Sequence, residues 1–127
     1  MSDELAGKIA FVTGGSNGIG AAAVRKLADA GAEMIIGYNT GEDRANAILA
    51  DLPGGGHSIQ QLTLEDGASV KRAAETIKAN HPKLDILVNS AGFTKAIPHD
   101  DLDALDDEFM DQMLIANVRG PFSVIRE

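Results

Sequence analysis

Apolar residues fall along this chain in two rhythms. Ile9–Thr13, Met34–Gly37 and Leu84–Asn89 are near-continuous apolar runs, and with Ser58–Leu64 they read as strands buried on both faces. Helical spacing fills the gaps: Gly18–Ala30 carries Ala23, Leu27 and Ala30 on one face, Glu42–Leu52 carries Ala45, Ile48, Leu49 and Leu52, and Asp66–Asn80 carries Val70, Ala73, Ala74 and Ile77. Gly31, the Pro53-Gly54-Gly55-Gly56 run and Pro82 punctuate the helix ends. Strand and helix alternate with short links. The pattern therefore predicts one domain over 1–127: an α/β, doubly wound parallel sheet of order 3-2-1-4 with helices on its faces.

A fourth helical pattern, DDLDALDDEFMDQM from Asp100, places Leu102, Leu105, Phe109, Met110 and Met113 at helical spacing. Its carboxylates are expected on the solvated face near a helix N-terminus, where the dipole favours them. A calcium loop would need ligands at alternate positions around a central glycine, which this run lacks. The three histidines, His57, His81 and His99, are not paired as metal ligands, so no metal is expected.

Composition narrows the partners. With 11 basic against 19 acidic residues and a formal charge of −8, the chain lacks the clustered cations that a nucleic-acid surface requires. No apolar run approaches a membrane span, and the acidic start MSDELAGK is unlike a signal peptide, so the expected location is cytoplasmic. The absence of cysteine excludes disulfides and thiolate chemistry. A small anion can still bind, because backbone N–H groups and a helix dipole act over a few ångströms whatever the net charge.

TGGSNGIG, Thr13–Gly20, leaves a strand and enters a helix. In that setting Gly14 can take a tight turn, Gly18 leaves room for a pyrophosphate at the helix N-terminus, and Gly20 lets the helix pack close. The alternative is a flexible turn with no ligand. At the end of the second strand, Tyr38, Asn39 and Thr40 stand where a carboxylate would read an adenosine ribose 2′-OH. A carboxylate there would repel a 2′-phosphate, so its absence, with Arg44 in reach, tilts the cofactor toward NADP rather than NAD. Arg44 read simply as an exposed helix residue is the competing assignment.

With TGGSNGIG, LDILVNSAG at Leu84–Gly92 and IANVRGPF at Ile115–Phe122, the chain resembles the classical short-chain dehydrogenases/reductases. The resemblance covers essentially the whole chain but about the first half of that family's usual domain. It implies a Rossmann-like fold, NADP or NAD as cofactor, and a small carbonyl or alcohol substrate. It also implies cofactor contacts from Thr13, Gly14, Ser16, Asn17, Gly18, Ile19 and Gly20, from Tyr38, Asn39 and Thr40, from Thr63 and Leu64, and from Asn89, Ser90, Ala91 and Gly92. Asn117 matches the family's catalytic-helix asparagine, which holds a water in a proton relay. A purely structural role is open for Asn89 and for Asn117 alike, since a buried mid-helix amide needs a partner. Gly120-Pro121 is expected to kink or end that helix.

Two departures matter. Ser90 replaces an Asn, and Thr63 stands where the family often has an Asp that reads the adenine amino group. Leu64 is expected to act through its backbone. The family's Tyr-x-x-x-Lys pair has no match: the one tyrosine, Tyr38, is followed four residues later by Glu42. The substrate is expected to meet no more of this chain than Phe93–His99. The fourth strand would lie at an open edge, and the chain stops inside a helical pattern without a cap. These features together predict the cofactor-binding half of a reductase, truncated after the fourth strand and following helix, inactive by itself and prone to form a homo-oligomer. A non-catalytic dinucleotide-binding module is the alternative.

Overall fold

The computed structural model describes residues 3–92, 97 and 99–127. Four parallel strands, β1 (Ile9–Thr13), β2 (Glu33–Tyr38), β3 (Ser58–Gln61) and β4 (Ile86–Asn89), form one sheet of order β3-β2-β1-β4. Helices α1 (Gly18–Asp29), α2 (Glu42–Asp51) and α3 (Gly67–Asn80) are the crossovers. The expected strand order is thus observed. However, β3 and β4 are half-buried with exposed ends and not buried on both faces, because each lies at an edge of the sheet. The β3 strand also ends sooner than Ser58–Leu64, because Leu62 and Leu64 turn into the core beyond the last ladder residue.

Side-chain alternation along the strands builds two cores. Ala10, Val12, Met34 and Ile36 face α1 and α2, meeting Val24, Ala28, Ala45 and Ile48. Ile9, Phe11 and Ile35 face the other way, against Leu62, Leu64, Val70, Ala73 and Ile77. All five residues of β1 are buried, as befits a strand with neighbours on both edges and helices on both faces. On α1 the buried line is Gly20, Val24 and Ala28 rather than Ala23, Leu27 and Ala30. Leu27 packs on the flank. In a helix this rich in alanine two adjacent stripes are nearly equally apolar, and the narrower line lets the helix approach the sheet.

Caps and side-chain bonds explain the boundaries. Asp66 caps α3, accepting from the Ala68 N–H at 3.0 Å. At the opposite end of the sheet from the glycine loop, His57 Nδ1 accepts the Met34 N–H at 2.9 Å while Nε2 donates to the Pro53 carbonyl at 2.7 Å. The imidazole is therefore neutral with its proton on Nε2, and it ties the glycine-rich turn to β2. Asp85 accepts the Ile9 N–H at 2.9 Å and pairs with Lys83 at 3.0 Å, joining the β4 entry to β1.

The acidic run does not form the single helix expected of it. Asp101 and Asp106 each cap a new start, so the chain makes a 3-10 turn (Leu102–Ala104) and then α4 (Asp107–Leu114). The Asp106 carboxylate accepts the Phe109 N–H at 2.8 Å. Only Phe109 of the expected apolar face is buried, while Leu102, Leu105 and Met110 are exposed. The helix then runs on through a π turn (Ile115–Arg119) into α5 (Gly120–Arg126). Pro121 has no N–H for the carbonyl four residues back, and the wider turn absorbs that loss, with Gly120 N–H bonding the Ile115 carbonyl instead. The helix therefore does not end at Gly120-Pro121. At Gly120 the helix also touches Leu64: a Cβ there would lie 2.8 Å from the Leu64 Cβ. No helix among the described residues is long and apolar enough to cross a membrane.

Candidate functional site

β2 and β4 lie on opposite sides of β1, so the connections after β1 and after β3 leave the sheet in opposite directions. At such a switch point the carboxyl ends of the strands open a crevice. The crevice here is a cleft of about 360 Å³. It is lined by Gly14, Ser16, Asn17, Gly18, Ile19 and Gly20 of the first loop, by Tyr38, Asn39 and Thr40 after β2, by Leu64 after β3, and by Ser90, Ala91 and Gly92 after β4. Thirteen of the sequence-derived positions thus share one wall system.

The loop geometry is that of a close backbone approach. Gly14 has φ of +64°, and a Cβ on it would lie 2.8 Å from the Ala91 backbone. Only glycine fits both the left-handed conformation and the contact. A Cβ on Gly20 would run into the Gly14 carbonyl, so α1 starts pressed against the loop itself. Gly18, by contrast, faces open space, with nothing within 4 Å of the point a Cβ would occupy. The first turn of α1 carries no acidic side chain, and Asn17 makes no side-chain cap. Its amides and dipole are thereby left to a ligand, which fits the demands of a pyrophosphate.

Thr13 and Asn89 do not line the cleft. Thr13, fully buried, accepts the Ser90 and Ala91 N–H groups on its hydroxyl, both at 3.2 Å, and so fixes the β4 exit beneath the loop. Asn89 is exposed at the end of β4, in register with Thr13. Thr63 is set back, its hydroxyl donating to Asn39 Oδ1 at 2.8 Å and its N–H bonding Ser69 Oγ. Leu64 lines the cleft with its side chain buried in the core. Asn117 sits in the π turn and is exposed, contrary to the buried amide expected. It still adjoins the cleft, since a Cβ on Gly92 would be 2.7 Å from Asn117 Oδ1. Its amide also donates to Met113 Sδ at 4.0 Å.

Gly41, Leu62, Glu65 and Ala116 line the cleft without having been singled out, and Arg44 joins them. A Cβ on Gly41 would meet Arg44 Nη2 at 2.5 Å and Ser16 Oγ at 2.8 Å, so the guanidinium lies across Gly41 beside the glycine loop. The signal was the Gly-x-x-Arg spacing at the start of α2. Ala116 is brought in by the π turn, which no local pattern announces. Tyr38 is half-buried, and burial, then the Glu42 carboxylate, raises its phenol above the ordinary value. That is the wrong direction for a proton-transferring tyrosine at neutral pH. His99 is exposed, and Phe93–Ala96 and Pro98 of the expected substrate-facing stretch lie outside the described residues. Among the described residues no three His, Asp or Glu side chains gather as a metal site.

Sheet, switch point and glycine-loop cleft define a Rossmann-type α/β domain. Compared with protein families, residues 8–127 match the family described as short chain dehydrogenase. The D-threitol dehydrogenase of Mycolicibacterium smegmatis is 38% identical over 121 residues, which are 94% of this chain and 45% of that protein. The 3-oxoacyl-acyl-carrier-protein reductase FabG of Escherichia coli is 45% identical over 89 residues, 70% of this chain and 36% of that one. Among solved structures, a dehydrogenase/reductase from Sinorhizobium meliloti superposes with a TM-score of 0.85 at 38% identity, covering 98% of this chain and 49% of that one. A short chain dehydrogenase from Burkholderia cenocepacia in complex with NADP superposes at 0.84 and 37% identity, covering 97% and 50%. The chain belongs to the short-chain dehydrogenase/reductase family. It spans about half the length of the curated relatives it matches.

Proposed function

We propose that this chain is the cofactor-binding part of an NAD(P)-dependent oxidoreductase that interconverts small alcohols and carbonyl compounds, with NADP preferred to NAD. The observation that carries the proposal is the cleft itself, where the uncapped α1 N-terminus faces the open side of Gly18 and Arg44 lies beside Ser16. In this reading Gly14, Ser16, Asn17, Gly18, Ile19 and Gly20 hold the pyrophosphate, and Thr13 keeps the β4 exit in place against them. Tyr38, Asn39 and Thr40 take the adenosine ribose, Thr63 and Leu64 the adenine side, and Asn89, Ser90, Ala91 and Gly92 the nicotinamide side. Arg44 and the lack of a carboxylate at the end of β2 favour a 2′-phosphate. The Burkholderia cenocepacia relative with bound NADP is consistent with that preference.

When bound, the nicotinamide supplies or accepts the hydride. Asn117, next to Gly92, is assigned to the proton relay on that side of the cleft. Tyr38 is not the acid, on position and on the direction of its pKa. The proton-transferring tyrosine is assigned to the half of the relatives' length that this chain does not span. We place the enzyme in the cytoplasm as a homo-oligomer, an assembly favoured by the exposed line Met110, Leu114, Val118, Phe122 and Ile125.

One rival, a dinucleotide-binding module without turnover, is favoured by the one tyrosine of this sequence being followed four residues later by Glu42 and not by a lysine. Ketone-dependent NADPH consumption by the full-length protein separates the two. Turnover faster with NADPH than with NADH is expected; preference for NADH refutes the cofactor choice. NADPH binding without turnover on any ketone, even after adding a polypeptide with the Ser and Tyr-x-x-x-Lys residues, would establish the rival.

A further inference from the structure

β2 and β3 end side by side, with Tyr38 opposite Gln61. Just beyond, three polar side chains form a closed set. The two hydrogens of Gln61 Nε2 serve three acceptors, the Asn39 backbone carbonyl at 3.3 Å, Asn39 Oδ1 at 3.3 Å and Thr63 Oγ1 at 3.2 Å, so that at least one hydrogen is shared. Thr63 Oγ1 donates to Asn39 Oδ1 at 2.8 Å.

An amide side chain can turn over and exchange its donor and acceptor ends, and here a backbone group removes that freedom. The Asn39 carbonyl only accepts, so the end of Gln61 that faces it must be the NH2. That same NH2 meets the Asn39 amide, whose facing end must then be oxygen. The Thr63 hydroxyl, accepting from Gln61, directs its own proton onto the same oxygen. Both donors converge on Oδ1, leaving the NH2 of Asn39 as the end available to a ligand in the cleft that Asn39 lines.

We infer that Gln61 and Thr63 are positioning residues that lock the Asn39 amide with its donor end toward the cleft, making it part of a donor set for the adenosine 2′-phosphate. The inference rests on the NADP preference proposed above and adds to it one residue that need not touch the cofactor, Gln61, and a second role for Thr63. Arg44 supplies charge, and Asn39 supplies a directed N–H whose sign is decided one strand away. With the lock removed, the amide can present either end. An oxygen turned toward a phosphate is repelled, while a ribose hydroxyl, both donor and acceptor, accepts either end. The network therefore matters for the phosphorylated cofactor and little for the other. Thr63, with its proton committed to Asn39, is accounted for in the place where the family often has an Asp.

The test is a double-mutant cycle on dissociation constants for NADPH and NADH, measured by calorimetry on the full-length protein. Gln61→Met keeps length and removes the donor; Thr63→Val removes the second. Gln61→Met is expected to weaken NADPH by about threefold to tenfold, the range of a hydrogen bond to a charged group lost in part, with NADH changed by less than about twofold. Thr63→Val, at a position also assigned to the adenine that both cofactors carry, is expected to weaken both and NADPH the more. Asn39→Ala is expected to weaken NADPH by about tenfold, and in that background Gln61→Met should have no further effect. Equal losses for both cofactors would show a merely structural role and overturn the inference. So would an undiminished Gln61→Met effect in the Asn39→Ala background. A wild-type protein that prefers NADPH but shows no coupling sinks the lock alone, whereas a wild-type preference for NADH sinks the cofactor choice and the lock with it.

Discussion

The first helix and the last helical rod of the chain are both amphipathic, and they meet opposite fates. α1 buries a line of small residues, Gly20, Val24 and Ala28, against β1 and β2. The rod of α4, the π turn and α5 buries Phe109, Ala116, Gly120 and Ser123, yet leaves Leu114, Val118, Phe122 and Ile125 more than half exposed. What fixes α1 is local and complete: a loop that only glycine can make, a helix start pressed on that loop, and two strands to cover it. The rod is held on one side, by Leu64 against Gly120, by Arg119 donating to the Glu65 carbonyl at 2.8 Å, and by α5 lying on α3 with Val124 packed against the core there. Among the described residues nothing covers its other side. Close packing on all sides thus belongs to the cleft end of the molecule, and an exposed apolar face to the rod.

The most damaging way to break this contrast is Gly14→Val. It puts a β-branched side chain at positive φ and against the Ala91 backbone, and should cost about 3 kcal/mol or more while abolishing NADPH binding. Urea unfolding and calorimetry check the two effects; a stable variant that binds normally would mean that the loop is not rigid. Paired valines sharpen the comparison next. Val24→Ala should cost about 2 kcal/mol through a core cavity. Val118→Ala should stay within about 0.5 kcal/mol for the monomer, and weaken any concentration-dependent association seen by light scattering.

A smaller loss is expected at the far end of the sheet. His57→Ala leaves the Met34 N–H, in a fully buried residue, without its acceptor, and should cost about 1–2 kcal/mol in urea. An unchanged midpoint would mean that the turn re-pairs that N–H. The smallest effect concerns acid. The bond from the Ile9 N–H, then Lys83, lowers the Asp85 pKa below its ordinary 3.8. A lowered folded-state pKa gives stability that is present above the unfolded value and is lost as pH falls through the folded one. Asp85→Asn should therefore flatten the stability profile below about pH 4 and leave its acid limb otherwise intact; an unaltered slope would mean that Asp85 does not contribute.

The legible parts of the sequence were those governed by neighbours in the chain. Apolar runs announced all four strands, and the glycine loop announced the cleft because tight turns demand glycine whatever surrounds them. Arg44 could be named but not placed, since only Gly41 at the α2 N-cap lets its guanidinium fold back beside Ser16. Asn117 was expected as a buried mid-helix amide, whereas it is exposed within the π turn. The acidic run kept helical spacing through Asp106, and apolar spacing does not reveal that two carboxylates will cap and so divide it. The Gln61–Thr63–Asn39 set was hidden for a different reason: it depends on the register that puts Tyr38 opposite Gln61, which the order 3-2-1-4 does not fix.

The central claim is that the cleft holds a phosphorylated dinucleotide. Calorimetric titration of the unaltered full-length protein with NADPH and then NADH tests it most directly. One saturable site per chain is predicted, with NADPH bound about tenfold tighter than NADH. Absence of binding by either nucleotide would contradict it.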